Sequence, residues 1–232
     1  MASYAYARPY SPAPAAGPTV VATLGDSVLR GAEPMGGGQY AYRGGWRPYA
    51  FAAMTTAGMA PDFIGDILCS IDGVSNAGTS HGGHGGSTSG QWISSIFASW
   101  QAALTKTPHI ICVAIGHNDA DDNTDGAKVC QIADLAAAAY PRAALLVATR
   151  GRTLVAGQPN AGSTHAAKVR ADVATRKAYG MHISLVDVWE AMGSQYWKFL
   201  GDDPHPNALG YRIEGDVWSR HLLAKKNGVV NP

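Results

Sequence analysis

Charge is sparse in this sequence. Asp, Glu, Lys and Arg make up 15 % of its 232 residues and nearly cancel, 18 basic against 17 acidic for a net charge of +1. Such a balance writes no basic track for nucleic acid and no cationic face for an anionic membrane. The partner it implies is small or uncharged. Cysteine is scarce as well: Cys69, Cys112 and Cys130 cannot all pair within one chain, and none stands at a short metal-ligand spacing from another. Cys112 falls in an apolar run and reads as a small buried hydrophobe. A Cys69 to Cys130 disulfide stays open but nothing indicates it. No apolar run approaches the ~18 residues that a membrane-spanning helix needs. The first 18 residues, "MASYAYARPYSPAPAAGP", lack the basic start and continuous apolar centre of a signal peptide. They read as a Pro/Ala leader or linker, native or the remnant of a longer protein. Residues 19–232 have the length of one large domain, and no internal repeat or second core divides them.

Glycine, by contrast, is plentiful at 28 residues, which suits a site built from turns. Short apolar runs at Val20 to Leu24, Phe63 to Ile67, Ile110 to Ile115, Ala144 to Thr149 and Ile183 to Val188 have the length of strands buried on both faces. Helical patterns lie between and after them, at Pro48 to Ala57, Gln91 to Leu104, Ala127 to Ala139, Ala166 to Tyr179 and Ala208 to Ala224. Regular alternation of strand and helix with right-handed crossovers predicts an α/β protein: a three-layer α/β/α fold around a central, mostly five-stranded parallel sheet, flavodoxin-like in plan.

In such a sheet the residues that follow each strand gather on one edge, where open α/β sheets build their sites. Gly25-Asp26-Ser27 follows the first strand, Gly116-His117-Asn118-Asp119 the third, and Asp202-Asp203-Pro204-His205 the fifth after an irregular segment. A glycine-rich stretch, "GGHGGSTSGQW", follows the second. Their convergence supplies the parts of serine acyl transfer. The Ser27 hydroxyl needs a base, and His205, with an unperturbed imidazole pKa of about 6.5, is the candidate. Asp202, three residues earlier in a turn held by Pro204 and Pro206, is placed to orient that imidazole; Asp203 is the weaker alternative. Three donors are available to an oxyanion: the backbone N–H of Ser27, the backbone N–H of Gly86 and the side-chain amide of Asn118. This chemistry calls for no cofactor and no metal.

Competing motifs carry less. "GTSHG", Gly78 to Gly82, matches the G-x-S-x-G elbow around Ser80, but the strand-turn-helix context is missing. "DDNTDG", Asp121 to Gly126, opens like a calcium loop, yet Ile132 stands where the bidentate Glu belongs. His81 and His84 form an H-x-x-H pair in a glycine run without a third ligand, and read as a loop that touches substrate or solvent. Asp26, His117 and Trp197 are possible substrate contacts. For His117 a hydrogen-bonded structural role stands equally open, and Trp197 is either a cleft wall or core cover. Tyr40, Tyr42, Trp46, Trp92 and Tyr196 complete the aromatics expected near the cleft, with Trp92 better suited to core packing.

Four blocks in order carry a resemblance: "GDS" at Gly25 to Ser27, the Gly of "GSTS" at Gly86 to Ser89, "GHND" at Gly116 to Asp119 and "DDPH" at Asp202 to His205. Together they resemble the SGNH, or GDSL, hydrolases over Val20 to about Leu223. The resemblance implies the family's α/β/α fold, a Ser-Asp-His triad, and an oxyanion hole from the nucleophile's N–H, the Gly and the Asn. "GHND" looks like the form in rhamnogalacturonan acetylesterases, and "PDFIGDI" with "HGGHGGSTSG" is similar to stretches of acetylxylan-type esterases. The resemblance thus implies a short-chain esterase acting on sugar-bound acetyl groups, with a lipase or thioesterase for longer chains as the alternative. A non-catalytic carbohydrate-binding relative is disfavoured because Ser27, Asn118, Asp202 and His205 are all present. An extracellular setting is implied if the chain is a mature or excised domain.

Overall fold

The structure, a computed structural model, describes residues 17–68, 80–119, 122–151, 162–202 and 204–226. The first 16 residues of the leader, Cys69 and with it any pairing to Cys130, the start of the calcium-like loop at Asp121, the first residues of the "GTSHG" motif and Asp203 lie outside the described residues.

Each of the five expected strands forms: β1 (Thr19–Gly25), β4 (Pro61–Ile64), β6 (Ile110–Ala114), β7 (Ala144–Ala148) and β8 (Ile183–Val186). They lie parallel in the order β4-β1-β6-β7-β8. A sixth strand, β5 (Gly82–Gly83), pairs parallel with Leu24 and Gly25 on the edge of β1 that β4 leaves uncovered. Burial on both faces explains the unbroken apolar runs. Along β1, Val20, Ala22 and Leu24 enter one core while Val21 enters the other, the period-two alternation of a strand between two layers.

One layer is built by α5 (Asp122–Ala139), α6 (Ser163–Ala178) and a continuous helical stretch made of α3 (Ser89–Gln91), a π turn (Trp92–Ile96) and α4 (Phe97–Ala103). The other comes from α2 (Arg47–Thr56), α7 (Val188–Met192) and α8 (Ala208–Lys226). There Trp46 stacks on Trp218 at 4.4 Å. These two tryptophans, with the buried Trp92 and Tyr196, belong to the core, so Trp46 and Tyr196 are not cleft aromatics. An unexpected antiparallel hairpin, β2 (Ala32–Gly36) with β3 (Gln39–Tyr42), stands outside the main sheet directly after α1 (Ser27–Arg30).

Candidate active site

Ser27 is the first residue of α1, so its amide sits among the N-terminal N–H groups that a helix leaves without an intrahelical acceptor. Its Oγ lies 2.9 Å from Nε2 of His205, and Nδ1 of His205 lies 2.8 Å from Oδ1 of Asp202. The same Asp202 oxygen accepts the backbone N–H of His205 at 3.1 Å, which locks the turn. Partial burial pushes the Asp202 carboxyl upward. The Tyr40 hydroxyl and the two His205 donors outweigh it, holding the group below the usual carboxylate range. An ionised carboxylate on Nδ1 selects the tautomer whose Nε2 is free to take a proton from Ser27.

The glycine loop reaches this point because the carbonyl of Gly25 collects it. That oxygen accepts the N–H of His84 at 3.1 Å and the indole N–H of Trp92 at 3.1 Å. Gly86, two residues beyond His84, adopts φ +75°, a left-handed conformation that glycine alone takes freely. Asn118 donates its side-chain amide to the carbonyl of Ser87 at 3.0 Å, so the third and second loops are tied together beside Gly86. A hollow of about 320 Å³ opens there, lined by His84, Gly86, Ser87, Gln91 and Ser95 among others.

Three residues offered as substrate contacts fall differently. Asp26 is fully buried: Oδ1 accepts the Val28 N–H at 3.0 Å, while Oδ2 accepts the N–H groups of Gly116 and His117 at 3.2 and 3.1 Å. It faces protein, and ties the first loop to the third. Burial works against its ionisation, but His117 and the backbone donors keep the carboxyl below its ordinary value. His117 is hydrogen-bonded within the protein through both ring nitrogens. Its Nδ1 meets Asp26 at 3.2 Å and its Nε2 accepts the Gly151 N–H at 3.1 Å, which assigns the proton to Nδ1. Trp197 is 52 % exposed, edge-on to Tyr196 on the segment that enters the Asp202 turn.

Asp119, the last residue of "GHND", accepts both the N–H and the hydroxyl of Ser89, at 2.8 and 2.6 Å, and stands 3.4 Å from the buried His165. The start of α3 is thereby fastened to the loop that carries Asn118. The H-x-x-H pair is otherwise engaged: His81 accepts the Gly83 N–H at 2.8 Å, and His84 pairs with Asp66 at 2.8 Å. Burial, with the charges of Arg47 and Arg30, drives the His81 imidazole down to about 2, which keeps it neutral. Among the described residues no group of three His, Cys, Asp or Glu side chains is placed to hold a metal ion.

The profile described as "GDSL-like Lipase/Acylhydrolase family" matches residues 23–213. The chain belongs to that family. Members and relatives of known structure share its architecture. The Clostridium thermocellum family 3 carbohydrate esterase aligns at 23 % identity over 93 % of this chain and 100 % of that one, with a TM-score of 0.70. A carbohydrate esterase family 3 protein from Talaromyces cellulolyticus aligns at 20 % identity over 91 % and 99 %, with a TM-score of 0.65. An acetyl esterase mutant with an acetate ion gives 20 % identity, 91 % and 99 %, and a TM-score of 0.71. At these identities the likeness is one of fold. Among curated protein sequences no match is found. The GDSL family and the parallel sheet between helical layers agree with the expectation drawn from the motifs.

Proposed function

We propose that this GDSL-family chain is a serine esterase for short acyl groups, above all O-acetyl groups on carbohydrate. The observation that carries the reading is the hydrogen-bonded relay from Ser27 Oγ through His205 to Asp202, at 2.9 and 2.8 Å. In this mechanism His205 Nε2 takes the Ser27 proton as Oγ attacks the ester carbonyl. Asp202 steadies the imidazolium. The backbone N–H groups of Ser27 and Gly86 and the amide of Asn118 receive the oxyanion, and binding it more strongly than the ground-state carbonyl lowers the barrier. His205 returns the proton to the departing alkoxide, leaving an acyl-Ser27 that water hydrolyses by the same route.

Support for a sugar ester comes from the polar hollow beside Gly86, the exposed face of Trp197 and the fold shared with carbohydrate esterases. Polar walls suit a hydroxyl-rich leaving group better than a long acyl chain. A chain-length series with p-nitrophenyl acetate, butyrate and octanoate, run beside acetylated polysaccharides, tests the reading. Acetate should lead in kcat/KM, and Ser27→Ala should lose turnover by ~10⁶ while keeping its fold. Octanoate outrunning acetate, with no acetate released from any acetylated glycan, would place the protein among lipases or thioesterases instead.

A further inference from the structure

The second oxygen of Asp202 is not left to solvent. Tyr40, on the hairpin strand β3, donates its hydroxyl to Oδ2 at 2.8 Å, and its ring stands edge-on to His205 with centroids 4.8 Å apart. The hairpin that carries it is pinned beside the relay. Tyr211 donates its hydroxyl to the Ala32 carbonyl at 2.9 Å, and the Arg43 N–H reaches the Gly31 carbonyl at 3.2 Å. Pro34, which faces Tyr40 in register, packs so closely on Gly201 that a Cβ there would fall 2.8 Å from the proline ring. One strand of the hairpin thus abuts the backbone next to Asp202 while the other caps its carboxylate.

We propose that Tyr40 is a positioning residue for the esterase reaction, acting through Asp202 to hold His205 against Ser27. The proposal rests on the reading of Ser27, His205 and Asp202 as the triad. Asp202 occupies a turn and its side chain is about one-third exposed, and both of its hydrogen bonds from His205 fall on Oδ1, which leaves Oδ2 without a tie to the imidazole and the carboxylate plane loosely held about Cβ–Cγ. The Tyr40 hydroxyl removes that freedom by fixing the opposite oxygen. Its ring shields the far side of the imidazole, and its donor hydrogen draws charge from the carboxylate. Without that hydrogen, Asp202 would grip the imidazolium more firmly but in a looser geometry.

The experiment compares wild type, Tyr40→Phe and Ser27→Ala in p-nitrophenyl acetate hydrolysis from pH 5 to 10, with Tm and the downfield Nδ1 proton of His205 recorded by NMR. Tyr40→Phe keeps the ring and deletes one hydrogen bond. It should lower kcat about tenfold, the worth of one well-placed hydrogen bond, with KM changed less than twofold. The acid limb of kcat/KM should move to higher pH and the Nδ1 proton resonance should shift, whereas a purely structural loss would lower Tm and leave both in place. With Ser27→Ala inactive, a Tyr40→Phe enzyme whose kcat, acid limb and resonance match wild type overturns the role of Tyr40 alone. A rise confined to KM does the same, by making Tyr40 a substrate contact. An active Ser27→Ala overturns the triad reading and the role of Tyr40 with it.

Discussion

Glu214 sits near the middle of α8 with 3 % of its surface exposed, facing a small cavity bordered by Val28, Trp46, His117, Arg150 and Trp218. Burial, reinforced by the negative charge of Asp26, raises its carboxyl from 4.5 to about 8. The folded protein therefore keeps this proton at neutral pH, while the unfolded chain has released it. A folded-state pKa above the unfolded value means that the unfolded state binds fewer protons between the two, so stability falls as pH rises through that window. Each pKa unit is worth about 1.4 kcal/mol, so roughly 4 to 5 kcal/mol disappears between pH 4.5 and 8 and the curve then flattens. Glu214→Gln keeps the shape and cannot ionise. Urea unfolding at pH 5, 6, 7 and 8 should show the variant close to wild type at the acid end and gaining on it by about 1 kcal/mol per unit above. Parallel stability curves for the two proteins would show that Glu214 is already ionised in the fold, and would refute the argument.

Two further substitutions probe the proposed oxyanion pocket and the backbone beneath it. Asn118→Ala should lower kcat by ~10² to 10³ with a smaller change in KM, because the lost amide serves the oxyanion more than the bound ester. An unchanged turnover number would remove Asn118 from the hole. Gly31→Ala should cost at least ~3 kcal/mol and lower Tm by about 6 °C or more, since φ there is +84° and an added Cβ would lie 1.9 Å from the Gly45 nitrogen. A Tm within 2 °C of wild type, on the order of experimental scatter, would mean that the α1 turn can open around a side chain.

The strands that a reader of the sequence can find are those whose burial is two-sided, because only they show as continuous apolar runs. The hairpin from Ala32 to Tyr42 escapes for the opposite reason: it is largely exposed, holds Pro34 and has three glycines at its turn, so it presents no apolar stripe. A signal was nonetheless there, in Tyr40 and Tyr42 two residues apart after a glycine turn. β5 has no side chain at all with which to announce itself. Val188 ends an apolar run that reads as one strand, but the chain turns into α7 there, capped by Asp187, whose carboxylate accepts the Glu190 N–H. At the site, Ser27, Asp202 and His205 could be singled out by residue type and spacing, and the fold brings the three within hydrogen-bond reach of one another. The Tyr40 bond to Asp202 spans 162 positions and follows from how the hairpin docks, which no local pattern encodes.

Asp26 shows the harder limit, and also explains why a run of β-formers ends in Gly-Asp-Ser. A carboxylate beside the proposed nucleophile reads as a substrate contact from sequence, while in the fold its oxygens accept backbone N–H groups. Each residue of the turn then has a separate physical task. Gly25 lies so near β6 that an added Cβ would sit 2.1 Å from the Ala114 carbonyl oxygen, so any side chain would part the two strands. Its own carbonyl gathers the loop of His84 and Gly86, while the Asp26 carboxylate gathers Gly116 and His117 next to Asn118. Ser27, one residue on, is thereby fixed relative to the two loops proposed to supply oxyanion donors, through a path of one or two residues in each direction. Short paths of this kind hold groups to within a few tenths of an ångström, which is the tolerance that oxyanion stabilisation requires. The same dependence makes the turn vulnerable: were Glu214 to ionise above pH 8, its charge would press on the carboxylate to which the third loop is tied.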